Sequence, residues 1–223
     1  MNDDFLTNTT LFRGVSSEDA KAMLGCLGAY EKRYEKGDTI FHAGVCAQSM
    51  GMVLSGSVNI EIDDLWGNKT ILGHVEAGQL FAETYACIPG EPLMVNVVAC
   101  EKSEVLFLNA AKLLCSCQNS CAHHTKLIRN LLQISAQKNL SLSRRSLHTS
   151  SKSIRGRLLS YLSEQAKQNG SCQFTIPFNR QQLADYLGVD RSAMSNELSK
   201  MRSDGLLLYS KSTFSLRQSP HLH

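Results

Sequence analysis

The alternation of apolar and polar positions changes character twice along the chain. From Tyr34 to Leu108, short β-branched and aromatic runs are punctuated by Gly37, Gly44, Gly51, Gly56, Gly67, Gly73, Gly78 and Gly90. Val58-Asn59-Ile60-Glu61-Ile62 alternates with a period of two. This pattern predicts a meander of short antiparallel strands closed into a barrel or sandwich. Asp63-Asp64-Leu65-Trp66-Gly67-Asn68 reads as a hairpin loop between two of the strands. Pro89 and Pro92 interrupt the chain again, and the apolar run Met94 to Ala99 that follows predicts a strand buried on both faces. Ahead of the strands, Ser16-Ser17-Glu18-Asp19 opens a helix through Leu27, with Ser16 capping over Asp19.

After Asn109 the period becomes helical. Leu127, Ile128, Leu131, Leu132, Ile134 and Leu140 lie in a stretch from about Ser120 to Ser146 that lacks Gly and Pro, a rod of roughly 40 Å at 1.5 Å per residue. One small β domain is too short to cover such a stripe, so the expectation is a homodimer that pairs the helices through Leu127 to Leu142. The alternative is a helix lying wholly against its own domain. The polar stretch Leu147 to Ser153 is a hinge candidate. A further helix carries Ile154, Leu158, Leu159, Tyr161 and Leu162 and stops at Asn169-Gly170.

Phe174 to Leu216 is the most informative segment. Asn179 can cap a helix Arg180 to Leu187, Gly188-Val189 makes a tight turn, and Asp190 caps a second helix that reaches Arg202. This is helix-turn-helix spacing. In the second helix Met194, Leu198 and Met201 recur at i, i+4 and i+7 and must face a core. Ser192, Asn196, Ser199 and Lys200 fall on the opposite side, with Ser195 between the faces. That outer side is small, polar and free of acid, which suits a major groove where short hydrogen-bonding side chains reach base edges. Arg191 can reach a guanine or a phosphate. Leu206 to Tyr209 and Thr213 to Leu216, joined by Ser210-Lys211-Ser212, read as a wing whose Lys211 touches the DNA backbone. Arg180, Gln181 and Lys200 flank the inserted face.

Charge sharpens this picture. The 223 residues carry a formal net charge of +3, but residues 1–143 hold 11 Lys/Arg against 15 Asp/Glu while residues 144–223 hold 12 against 5. A basic C-terminal third on a mildly acidic body is the footprint of a domain that meets a polyanion. With 43% hydrophobic residues the chain can bury a core, which excludes disorder as its main state. No apolar run is long enough to span a membrane, and Asp3 and Asp4 stand where a signal peptide carries Lys or Arg. A cytoplasmic protein without membrane partners is expected, with its eight cysteines reduced.

Over roughly Phe12 to Leu216 the chain resembles the catabolite-activator (Crp/Fnr) family of bacterial transcription regulators. The resemblance rests on Lys36-Gly37-Asp38-Thr39-Ile40-Phe41, Ala43-Gly44 and Val53-Leu54-Ser55-Gly56-Ser57-Val58, on Gly78-Gln79-Leu80-Phe81-Ala82-Glu83, and on Arg180-Gln181-Gln182-Leu183-Ala184-Asp185-Tyr186-Leu187-Gly188-Val189-Asp190-Arg191. It implies an α+β chain: an N-terminal helix and effector-sensing β-roll of the cyclic-nucleotide-binding type over 1–119, a long dimerisation helix over 120–147, and a DNA-binding winged helix over 148–223. The implied partners are a palindromic double-stranded operator, a second copy of the chain, a small effector and RNA polymerase. Members that bind cyclic AMP carry a Glu for the ribose and, about ten residues on, an Arg followed by Ser for the phosphate. Glu83 matches the Glu, but Leu93 and Met94 stand at the other two positions, and no Lys or Arg lies between Thr70 and Glu101. A buried phosphate without its cation is costly, so cyclic AMP is disfavoured. An apolar or weakly charged effector is expected instead, at Glu83, Thr84, Leu93 and Met94, with Ser135 of the long helix added by alignment. Readers of the family's common operator place Arg, Glu and Arg on the recognition helix. Arg191 matches the first, and Ser192 and Asn196 replace the other two, so a different operator is expected.

Cys115, Cys117 and Cys121, with His123 and His124, precede the long helix. Thiolate and imidazole at this density could hold zinc, an iron–sulfur cluster or haem, or form a thiol switch. The Cys-x-Cys spacing is less typical of tetrahedral zinc than Cys-x-x-Cys, and the N-terminal cysteine array of oxygen-sensing family members is absent, so the expectation is no metal and no cofactor, with a haem- or thiol-based sensing regulator built on this cluster as the alternative. The nearness of His74, Glu76 and Glu83 raises an enzyme reading, but nothing arranges them as acid and base, and no activity is expected. A protein-interaction module without DNA binding is the remaining alternative.

Overall fold

The computed structural model describes residues 3–63, 69–115 and 122–217. The chain divides into two compact units, residues 1–136 and 137–223.

In the first unit, helices α1 (Asp3–Asn8) and α2 (Ser17–Cys26) precede eight strands: β1 (Tyr30–Tyr34), β2 (Thr39–Phe41), β3 (Ser49–Ser55), β4 (Ser57–Asp63), β5 (Lys69–Glu76), β6 (Leu80–Phe81), β7 (Asn96–Ala99) and β8 (Ser103–Asn109). A short helix α3 (Glu83–Ala86) lies between β6 and β7, and α4 (Ala110–Leu114) follows β8. The strands form two antiparallel sheets ordered β1-β8-β3-β6 and β2-β7-β4-β5. Tyr34, Val53, Val58, Val75, Phe81, Val97, Ala99, Val105 and Phe107, drawn from both sheets, make one buried cluster. The expected meander is therefore a two-sheet roll, each strand turning alternate residues inward. The hairpin loop expected at Asp63–Asn68 joins β4 to β5, which pair through Asp63 and Lys69; residues 64–68 of it lie outside the described residues.

The glycines that suggested turns do two different jobs. Gly37, Gly44, Gly56, Gly78 and Gly90 adopt positive φ, as a tight turn needs. Gly51 lies inside β3, where an added Cβ would come within 2.1 Å of the Phe81 ring.

The outer face of the first sheet is covered by helices. Met50, Met52, Leu106 and Leu108 pack with Leu6, Leu11, Phe12, Met23 and Leu27. Ser16 Oγ accepts a hydrogen bond from Asp19 N at 3.2 Å, so the expected cap of α2 is present. The run Met94 to Ala99 is not a strand buried on both faces. Only Asn96–Ala99 is a strand; Val97 and Ala99 turn into the roll, whereas Asn96 turns out, accepting from Ala43 N and donating to Asp63. Ile62, Ile71 and Leu72 of the second sheet are exposed, so among the described residues alternation replaces continuous burial.

The long helix α5 (Ala122–Thr149) begins in the first unit and ends in the second. Leu127, Leu131 and Ile134 are buried in the first unit's helical core, and Asn130 Nδ2 donates to Leu11 O at 2.8 Å and Arg13 O at 3.0 Å. The expectation that the whole stripe Leu127 to Leu142 awaits a second copy therefore needs correction, because Leu127, Leu131 and Ile134 are covered by their own domain. Exposed instead are Leu132, Leu140, Leu142 and Leu147. At about 100° per residue, Leu132, Ala136, Leu140, Ser143 and Leu147 share an arc of about 80°, opposite Leu127, Leu131 and Ile134.

The expected hinge is also shorter than the composition suggested. Leu147, His148 and Thr149 are helical, since Thr149 Oγ1 and Ser150 Oγ donate back to the carbonyls of Arg145 and Leu147 at 2.8 Å each. Ser150 to Ser153 alone separate α5 from α6 (Ile154–Asn169), which Ser153 caps. The second unit continues with β9 (Gln173–Thr175), α7 (Arg180–Leu187), α8 (Arg191–Ser203), β10 (Leu207–Ser210) and β11 (Thr213–Leu216). Its strands form a sheet ordered β10-β11-β9. Leu158, Leu162, Phe174, Leu183, Leu187, Met194, Leu198, Met201, Leu207 and Phe214 are among its core residues.

Candidate nucleic-acid interface

Local chemistry places the two helices of the motif. Asn179 Oδ1 accepts from Gln182 N, and the Gln182 side chain accepts from Asn179 N, both at 2.9 Å, a reciprocal cap that starts α7. Gly188, at φ 62°, ends it in the left-handed conformation. Asp190 Oδ1 then accepts from Ala193 N at 2.7 Å and starts α8. Met194, Leu198 and Met201 are wholly buried, which fixes the rotation of α8 about its axis. Arg191, Ser192, Asn196, Ser199 and Lys200 are exposed as a result, and Ser195 is half-buried.

The acids of α8 are turned aside. Arg155 of α6 reaches Glu197 Oε1 at 2.5 Å through Nε and Asp204 Oδ2 at 2.8 Å through Nη2. This leaves the outer face of α8 with cations and neutral polar groups, the complement of a polyphosphate. The serines of that face are not equivalent. Ser195 and Ser199 donate to the carbonyls of Arg191 and Ser195 at 2.9 and 3.1 Å, so they offer lone pairs alone to a base edge. Ser192 and Asn196 make no side-chain hydrogen bond among the described residues and keep donor and acceptor free.

The wing is tighter than expected. Lys211 and Ser212 alone form the turn between β10 and β11, and Lys211, exposed at the tip, adopts φ 49°. A third strand, β9, joins it through Phe174 and Phe214. Arg180, expected beside the inserted face, is half-buried; its guanidinium lies 4.8 Å from the Tyr209 ring centre and 5.1 Å from that of Phe214. Burial lowers its pKa from the ordinary value. Arg202 lies over the same Tyr209 ring at 5.3 Å. Tyr209 and Arg202 thus belong to this surface although the helical pattern did not single them out. The signal available in the sequence was the Tyr209/Phe214 pair, which face each other across the hairpin. Gln181 donates to Asp185 at 2.8 Å along α7.

The effector candidates are less assembled. Glu83 is buried at the start of α3, after Ala82 at φ 57°. Leu93 is buried and pairs with the 44–46 segment, its N–H donating to Val45 O at 2.9 Å and its carbonyl accepting from Gly44 N at 2.7 Å. Thr84 is exposed, Ser135 is half-buried, and Met94 is 70% exposed. Met94 sits at the bend between Leu93 and β7 and faces solvent. A cavity of about 240 Å³ between Phe5, Thr9 and Gln79, and another of about 190 Å³ between Arg144, Tyr161 and Phe178, are lined by other residues.

Among the described residues, no three His, Cys, Asp or Glu side chains converge as a metal site would require. Cys115 is exposed, His123 Nε2 is 3.4 Å from Asp19, and Cys117 and Cys121 lie outside the described residues. His74 Nδ1 contacts Asn59 Oδ1 at 2.8 Å on the β4–β5 pair, while Glu83 is on α3. No helix among the described residues is long and apolar enough to cross a membrane.

Comparison with known proteins bears on both units. The model of the cyclic nucleotide-binding domain matches residues 31–120, and that of the Crp-like helix-turn-helix domain matches residues 156–222. No curated protein matches the chain in sequence. Among solved structures, the catabolite activator protein of Thermus thermophilus is 23% identical over 94% of each chain, with a TM-score of 0.52. The c-di-GMP-responsive global regulator CLP of Xanthomonas campestris is 20% identical over 90% of this chain and 99% of its own, at 0.54. CprK complexed with OCPA is 15% identical over 88% of each chain, at 0.62. At these identities the structural likeness is one of fold. With one family model on the β-roll and the other on the helix-turn-helix, the chain belongs to the Crp/Fnr family of DNA-binding transcription regulators with an effector-binding domain.

Proposed function

We propose that this chain acts as a homodimer on an inverted-repeat operator, reading bases with Arg191, Ser192 and Asn196 and holding phosphates with Lys200, Lys211 and Arg202. Ser195 and Ser199 add acceptors to the same groove, and Gln181 and Arg180 support it from α7. One observation carries the reading: the buried Met194, Leu198 and Met201 turn an acid-free face of α8 outward, and Arg155 removes Glu197 from that face. Two such helices related by a two-fold axis sit about 34 Å apart, one helical turn of duplex. The seam is the exposed arc of Leu132, Leu140 and Leu147. In the β-roll, an effector other than cyclic AMP acts near buried Glu83, since no Lys or Arg stands between Lys69 and Lys102 to neutralise a cyclic phosphate.

Selection of bound duplexes from a random pool tests the DNA reading and yields the operator at once. The expected product is an inverted repeat with half-sites centred about 10 base pairs apart. Recovery of unrelated sequences, with binding that only falls with salt, would leave electrostatic association and no readout.

A further inference from the structure

The helix-turn-helix is gripped from behind by side chains that its outer face does not use. The C-terminal end of α7 presents the carbonyls of Asp185, Tyr186, Leu187 and Gly188, the negative end of a helix dipole. Arg145, in the last turns of α5, donates to Asp185 O and Tyr186 O at 3.0 Å each. Arg157 of α6 donates to Leu187 O at 2.9 Å, Gly188 O at 3.0 Å and Ser151 O at 2.8 Å. Beside this pair His148 is 3% exposed. Its Nε2 is 2.5 Å from Glu164 Oε2, and its Nδ1 is 2.9 Å from the Tyr186 hydroxyl.

A carboxylate only accepts, so Nε2 carries the hydrogen toward Glu164, and Nδ1 pairs with the Tyr186 hydroxyl. Burial, chiefly, raises the Tyr186 pKa, which keeps the phenol protonated. Glu164 is further engaged by Gln168 at 2.8 Å and Arg144 at 3.5 Å, and Tyr161 meets the imidazole edge to face at 5.4 Å. A buried polar chain of this kind adds little net stability over an apolar replacement, but it admits one arrangement of the elements it joins.

We infer that His148 is a positioning residue for DNA recognition: with Arg145 it locks the last turn of α5 to the C-terminal end of α7. The last gripped carbonyl, on Gly188, is two residues from Asp190, which caps α8. The turn from which α8 leaves is therefore held jointly by α6, through Arg157 on Leu187 O and Gly188 O, and by α5, through Arg145 and His148 on the residues just before it. Loss of the His148–Tyr186 hydrogen bond frees α7 to shift against α5 without removing any group that touches DNA.

This inference rests on the DNA-binding reading above. The test uses the full-length chain and its selected operator, with His148→Phe, Tyr186→Phe and the double variant. Dissociation constants are taken on the active fraction from stoichiometric titration, and melting temperatures are recorded alongside. Each single variant is expected to weaken operator binding about tenfold with an unchanged salt slope, and the double variant to lose no more than His148→Phe, which already deletes the bond to Tyr186 along with that to Glu164. Operator affinity within about twofold of wild type in the folded variants, strictly additive losses, or a lower melting temperature with unchanged affinity would each overturn it. If His148→Phe does not fold, Tyr186→Phe decides by the same threshold. A wild-type chain that binds no duplex would refute the DNA reading and this inference together, whereas wild-type binding with unaffected variants refutes this inference alone.

Discussion

Leu132→Glu tests the dimer seam proposed for α5 against its core-facing side. Leu132 is 68% exposed in the single chain, and fully burying a leucine side chain contributes roughly 1.5–3 kcal/mol. About two-thirds of that remains to be gained in a dimer, some 1–2 kcal/mol per chain and about 2–4 kcal/mol across a two-fold axis. Removing it raises the dimer dissociation constant by about 30- to 800-fold, and two facing carboxylates weaken the pair further. Leu131 is the control. It is 4% exposed in the first unit's core, where an unpaired charge costs several kcal/mol. Sedimentation velocity over a concentration series, with thermal melting of the same samples, should show Leu132→Glu as a folded monomer and Leu131→Glu as a destabilised chain. A Leu132→Glu protein that dimerises with wild-type affinity, or a Leu131→Glu protein that is a stably folded monomer, would refute the assignment of the two faces.

Four further outcomes are expected. Asn196→Ala should cost about 1–3 kcal/mol on the preferred operator and relax discrimination at one base pair, while Lys211→Ala should weaken all duplexes alike and lower the salt slope by about one unit; unchanged sequence preference in Asn196→Ala would withdraw its role. Calorimetry should detect no cyclic AMP binding at micromolar concentration, given Leu93 and Met94 in place of Arg and Ser. Gly56 sits at φ 77° with an added Cβ only 2.6 Å from Lys102 O, so Gly56→Ala should lower stability by about 1–3 kcal/mol in a denaturant titration. Burial, as the main cause, pushes the Tyr34 and Tyr161 hydroxyls up to about 12. The unfolded phenols ionise near 10. Their contribution is therefore complete below about pH 10 and is lost as pH rises toward 12, which absorbance titration beside pH-dependent melting can follow.

Short-range chemistry was legible wherever a side chain acts on its own backbone neighbours. Ser16, Asn179 and Asp190 cap the helices they were expected to cap, and Met194, Leu198 and Met201 are buried as their i, i+4, i+7 spacing requires. The misreadings came where the outcome depended on what lies across a sheet or behind a helix. Met94 and Leu131 are both apolar members of apolar runs, yet one faces solvent and the other a core. The extent of the hinge depended on Thr149 and Ser150 hydroxyls turning back to helix carbonyls, which composition alone reads as loop. The rings on which Arg180 rests, Tyr209 and Phe214, are brought to it by the wing and were likewise not legible from its local pattern.

The sequence by itself therefore determined the order of elements, the family, the asymmetric charge and the rotation of the recognition helix. Each follows from periodicity, caps or motif residues that need no distant partner. Tertiary structure decided which face of α5 is covered by its own domain, how Arg155 draws Glu197 and Asp204 off the outer face, and how Arg145, His148 and Arg157 grip the end of α7. Those contacts join residues 30 to 49 positions apart, and a pairing at that range is set by the packing of whole elements against one another, which no local pattern encodes.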